Sequence, residues 1–172
     1  MKRIVLPALL LFSAFSYSQE IAENKIDEFS HHAIKRTSWD LLVYKFNGSM
    51  YAHTRISRID SSFYLNLRYV CRGACVMAEG DKFMLKLDND SIIALPNLKL
   101  AAGCIGCGAT GLPGSNALGL DLSFPITVDQ LKDLCSHTIT KVRLYLTDGY
   151  VEASPSSGNA QNLRKQAEII LK

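Results

Sequence analysis

The chain has 172 residues, 48% hydrophobic, 20% charged and 9% aromatic, a balance that excludes a disordered or fibrous protein and fits one globular domain. The formal net charge is +3, but the positive side chains are not clustered, so no nucleic-acid partner is implied.

The first segment reads as an address rather than as structure. Lys2 and Arg3 precede an apolar stretch from Ile4 to Phe15, and Ser16 and Ser18 are the small residues a signal peptidase selects. Residues 1–18 are therefore expected to be a signal peptide cleaved after Ser18. The apolar run is shorter than the roughly 20 residues of a membrane-spanning helix, and no cysteine follows the cleavage point to carry a lipid. The expected product, residues 19–172, is a single exported domain, periplasmic or secreted, with no transmembrane segment after cleavage. Without Lys2 and Arg3, 17 basic side chains face 16 acidic ones, a net charge of +1. A chain of this length buries roughly 68–70% of its unfolded surface, so disulfides would add to a core rather than replace one.

Residues 19–36 form a polar lead-in with weak helical spacing through Ile21, Ile26 and Phe29. Thr37 to Phe46 is rich in aromatic and β-favouring residues, and Asn47-Gly48 fits the two positive-φ positions of a hairpin turn, with the return strand near 50–59. Asp60-Ser61 marks the next reversal, and Phe63, Leu65, Leu67 and Tyr69 then alternate with polar or outward positions, the period of a strand with one buried face. Further strands are expected at 83–87, 91–95, 120–124, 141–146 and 150–153, with turns at Asp88-Asn89-Asp90 and Asp148-Gly149. Thr127 and Gln130 make a capping box for a short helix near 128–135. Ala160, Leu163, Ala167, Ile170 and Leu171 share one stripe of a terminal helix near 158–171. The expected fold class is α+β: a mainly antiparallel sheet of about seven or eight strands, one short helix, and a C-terminal amphipathic helix packed on the sheet.

Thr37-Ser38-Trp39, Leu85-Lys86-Leu87-Asp88, Phe124-Pro125-Ile126, and Lys141-Val142-Arg143-Leu144-Tyr145 followed by Asp148-Gly149-Tyr150 come in an order that resembles a group of small exported β-rich proteins of unknown function from Bacteroidota-type bacteria. The resemblance covers most of residues 24–171. It implies a single β-rich domain closed by a C-terminal helix and supplies no catalytic residues. The cysteine-bearing segments lie outside the resembling pattern.

Five cysteines stand at 71, 75, 104, 107 and 135. In an oxidising compartment Cys71, Cys75, Cys104 and Cys107 are disulfide candidates. Three pairings are open. Bridges within each pair would staple two local turns. Crossed bridges would tie the 103–119 segment, with six glycines and one proline, to the end of a strand; they close longer loops, and the segment's shortage of apolar residues favours them. The alternative is a zinc-binding or thiol-redox protein, since Cys-x3-Cys and Cys-x2-Cys could supply four thiolates to one ion. A thioredoxin-type role for Cys104 and Cys107 is disfavoured because the surrounding glycines oppose the helix that would activate the thiol. Cys135 reads as a small buried hydrophobe.

Catalytic patterns are weak. Cys135 and His137 lack an orienting third group, Ser38 and Asp40 lack a nucleophile elbow, and the glycine-rich segment lacks the lysine of a phosphate loop. The sequence pairs none of His31, His32 and His53 with a compelling catalytic group. Arg55, Arg68, Lys141 and Arg143 fall on polar strand phases and could line an anion-binding face, although the near-neutral mature charge favours a merely solvated one. No catalytic residue, cofactor or resident metal is therefore expected. The reading is a non-catalytic binding or interaction module of the cell envelope, with a disulfide-anchored glycine-rich loop and an envelope protein or small ligand as its partner.

Overall fold

Period-two patterning dominates the chain, and the computed structural model turns it into thirteen strands and two helices among the residues it describes, 20–44, 51–71, 73–108 and 117–172. The expected signal peptide, the expected hairpin turn at Asn47-Gly48 and the centre of the glycine-rich segment lie outside these residues. A first sheet holds β1 (Ile21–Ile26), β2 (Ala33–Thr37), β3 (Asp40–Tyr44), β4 (Tyr51–Ile59), β5 (Ser62–Val70), β10 (Cys104–Ile105) and β11 (Leu118–Pro125). Its order is β1-β2-β4-β5-β11-β10, and β3 also pairs with β4. A second sheet runs β13 (Gly149–Ala153), β12 (Ile139–Leu146), β7 (Lys82–Leu87) and β8 (Ile92–Pro96). β6 (Val76–Met77) and β9 (Ala101–Ala102) form a separate short pair. Among the described residues the strand pairings are all antiparallel.

The expectation of seven or eight strands is corrected upward. The additional ones are β1, β2 and the two-residue β6, β9 and β10. Where a polar lead-in with weak helical spacing was expected, β1 and β2 form a hairpin because its turn is built by a side chain: Asp27 Oδ1 accepts from the Phe29 and Ser30 N–H groups and from the Ser30 hydroxyl. His31 then takes a positive φ of 58°. The strand expected from Thr37 starts at Asp40 instead. Thr37 belongs to β2 and is fully buried, with its hydroxyl oxygen accepting the Ile56 N–H at 3.0 Å.

Alternation puts Ala52, Thr54 and Ile56 of β4, Leu65 and Leu67 of β5, and Leu120, Leu122 and Phe124 of β11 on the inner face of the first sheet. There it meets the second sheet, where Phe83 of β7 stacks at a tilt on Phe124 with centroids 5.6 Å apart. The remaining inner face, over β2 to β4, is covered by α2 (Ser157–Leu171), which buries Leu163, Ala167 and Ile170. α1 (Val128–Ser136) packs on α2 through buried Leu131 and Leu134, and its Thr127–Gln130 capping box is formed as expected. Fully burying each of these leucine and isoleucine side chains contributes about 1.5–3 kcal/mol. Both helices thus sit on the inner side, leaving the outer face of the first sheet to polar and aromatic side chains.

Candidate functional site

The four candidate cysteines form two local pairs. Cys71 is at disulfide distance from Cys75, with their Cα atoms 6.1 Å apart, and Cys104 from Cys107, with 5.4 Å. The crossed pairing favoured on chain entropy is therefore not the one adopted. Each pair closes a turn at one end of the first sheet, and β-pairing already ties the glycine-rich segment down: Cys104 sits opposite Gly119 and Ile105 opposite Leu118. Among the described residues, no group of three His, Cys, Asp or Glu side chains is placed to hold a metal ion.

Backbone bonds join the two clipped turns. Gly103 donates to the Cys75 carbonyl at 2.8 Å, Cys71 to Leu118 at 2.9 Å, and Gly106 to Ala117 at 2.9 Å. Cys71 and Cys75 are buried, whereas Cys104 is exposed. Leading into the second clip, Asn97 is 4% exposed and its amide donates to the carbonyls of Met77, Ala78 and Lys99. A buried side chain that bonds three backbone carbonyls fixes the backbone around it. On this fixed backbone Leu98, Leu100 and Ile105 are 59%, 67% and 73% exposed. The alternation of the sequence did not single these three out, because apolar residues at 98–105 read equally well as loop filler.

The basic residues on polar strand phases divide between two sheets. Lys141 and Arg143 lie on the outer face of the second sheet, both paired to Glu152 at 2.9 and 2.6 Å. Arg143 also donates to the Tyr145 hydroxyl, and these two partners raise its already high pKa. Arg55 and Arg68 lie on the outer face of the first sheet with Trp39, whose ring centroid is 4.5 Å from one guanidinium carbon and 4.4 Å from the other. Arg36 is beside them, bonded to Glu23, and Arg68 is paired to Asp121 at 3.0 Å. Ser57, Asn66 and Ser123 form a hydrogen-bonded row across the same face. Trp39 and Arg36 were not legible as part of this group, since the sequence placed Trp39 inside a strand.

Two of the histidines lie against carboxylates. His137 Nδ1 lies 3.0 Å from Asp88, and His32 Nδ1 lies 2.6 Å from Asp60. The Cys135 thiol packs against the core, and burial, followed by Glu168, pushes its pKa up, the opposite of an activated nucleophile. Ser38 Oγ reaches Asp40 at 3.3 Å, and Asp40 accepts from Gln166.

The class defined by these features is an α+β domain of two antiparallel sheets with a C-terminal helix and a disulfide-clipped end. Comparison with protein-family models, with curated proteins and with solved structures finds no match. Among the described residues, no helix is long and apolar enough to cross a membrane.

Proposed function

We propose that the protein is a non-catalytic binding module of the cell envelope and that the clipped end is its protein-binding surface. The observation that supports this is the combination of exposed Leu98, Leu100 and Ile105 with a backbone held by Asn97 and by two disulfide clips. Exposed apolar side chains on a loop held in one conformation lose little entropy on docking, so more of their burial free energy appears as affinity. Disulfide clips also suit an oxidising compartment.

Chemical cross-linking in intact cells tests the reading. The wild-type protein should give a discrete adduct with an envelope protein, and Leu100→Lys with Ile105→Lys should abolish it while leaving circular dichroism and thermal stability unchanged. An adduct that survives both substitutions overturns the assignment of this surface, as does the absence of any adduct.

A further inference from the structure

We propose that Arg55, flanked by Arg36 and Arg68 on the outer face of the first sheet, is the centre of a binding site for an oxyanion group: a carboxylate, phosphate or sulfate. This site is separate from the clipped end and does not rest on the function proposed above.

Arg55 is half-buried and, among the described residues, makes no hydrogen bond or ion pair. Its Nε is sealed from solvent without an acceptor, while the terminal guanidinium nitrogens are not sealed. A partly buried cation is costly unless compensated. The compensation present is the face of Trp39, and that ring is shared with Arg68. The nearby carboxylates are already engaged: Glu23 is bonded to both Arg36 and Lys25, and Asp121 to Arg68. Burial, then the charges of Arg36 and Arg68, pull the Arg55 pKa down, and the opposing pull of Asp121 and Glu23 does not offset them.

Guanidinium groups recognise oxyanions through paired N–H donors. Arg36 stands opposite Ser57 and Arg55 opposite Asn66, so the Ser57 and Asn66 side chains lie beside the guanidinium as further polar groups. An oxyanion on the open side of Arg55 would supply the acceptor that the protein withholds. His53, on the same face, has its pKa lowered mainly by burial, against the opposing pull of Asp40, so it adds no charge near neutral pH.

Trp39 is the single tryptophan of the chain, so its fluorescence reports on this site directly. Inorganic phosphate, sulfate and acetate are titrated at constant ionic strength against sodium chloride. Saturable change with at least one oxyanion is expected, weakened by about tenfold or more in Arg55→Gln and unchanged in Lys141→Gln on the other sheet. Arg55→Lys keeps the charge without the fork, so it should fold if Arg55→Gln does not and should still bind more weakly than wild type. Competition by phosphatidylglycerol vesicles would assign the anion to a lipid headgroup, and its absence to a soluble or peptide-borne group. The proposal is overturned if no oxyanion saturates, if chloride reproduces the response, or if folded Arg55 variants respond like the wild type.

Discussion

Gly103 and Cys75 meet by a backbone hydrogen bond of 2.8 Å, and a Cβ placed on Gly103 would lie 3.0 Å from the Cys75 sulfur. The first disulfide clip and the segment leading into the second are thus packed tightly enough that a side chain at 103 would press on the bridge. Behind them Gly119 lies against Gly108, and a Cβ on Gly108 would stand 2.6 Å from the Tyr69 carbonyl oxygen.

The contacts at these glycines rank their substitutions. Gly103→Ala would press on the Cys75 sulfur and carbonyl oxygen, 3.0 and 3.2 Å from the new methyl, and should cost about 1–2 kcal/mol, whereas Gly119→Ala would drive a methyl into the Gly108 backbone and should cost about 3 kcal/mol or more. Urea unfolding of the two variants should show this order; equal effects would mean that the glycine-to-glycine packing is not maintained in solution.

Each disulfide closes a very short loop, so by chain entropy each should stabilise by only about 2 kcal/mol. Their accessibility differs more than their energy, because Cys104 is exposed while Cys71 and Cys75 are buried. Under mild reductant with an alkylating reagent, Cys104 and Cys107 should be the first of the four bridged cysteines to be labelled, and the fold should persist. Prior labelling of Cys71 and Cys75 would contradict the burial described above.

Gln166 ties the terminal helix to the first sheet. It is fully buried, and its amide nitrogen donates to Ser38 O, Asp40 Oδ2 and Thr54 O at 3.1, 2.8 and 3.2 Å. Gln166→Ala should cost about 2–4 kcal/mol, from the cavity and the acceptors left unpaired. A loss below about 1 kcal/mol in chemical denaturation would show that α2 is anchored by its apolar stripe alone.

Stability should fall with acid in two stages. His53 has a folded pKa below its free value, mainly through burial, so the unfolded chain takes up its proton first and stability declines as pH falls below about 6.5. The second stage belongs to carboxylates. The Ala33 N–H and then His32 hold the Asp60 pKa down, and the Thr138 N–H and then His137 do the same for Asp88. Their stabilising contribution is present above the ordinary carboxylate pKa of about 4 and is lost as pH falls through the lower folded values. Thermal melts across this range should show both stages, and His53→Gln should remove the first; an unchanged profile in that variant would exclude His53 as its source.

How much was legible depended on where the turn signal resided. The β12–β13 hairpin was readable because Asp148-Gly149 carries its own geometry, with Gly149 at φ 136°. The α1 start was readable because Thr127 and Gln130 hold both halves of the cap. The β1–β2 hairpin was not, since Asp27 builds its turn with a side chain and His31 takes the positive φ that glycine usually announces. Local disulfide pairing was missed because loop entropy ranks pairings by length, while the distances that decide them are set by sheet register. The Trp39 cluster was hidden for a similar reason: Arg55 and Arg68 sit on different strands, and only the register of β4 on β5 brings both to one ring.

The local clips at the exposed end are most directly tested by mapping the disulfides in protein isolated from its native compartment, using proteolysis without reductant after blocking free thiols. The account predicts one bridge between Cys71 and Cys75 and one between Cys104 and Cys107, with Cys135 blocked as a free thiol. A bridge joining either of the first two cysteines to Cys104 or Cys107, or four blocked thiols with bound metal, would contradict it.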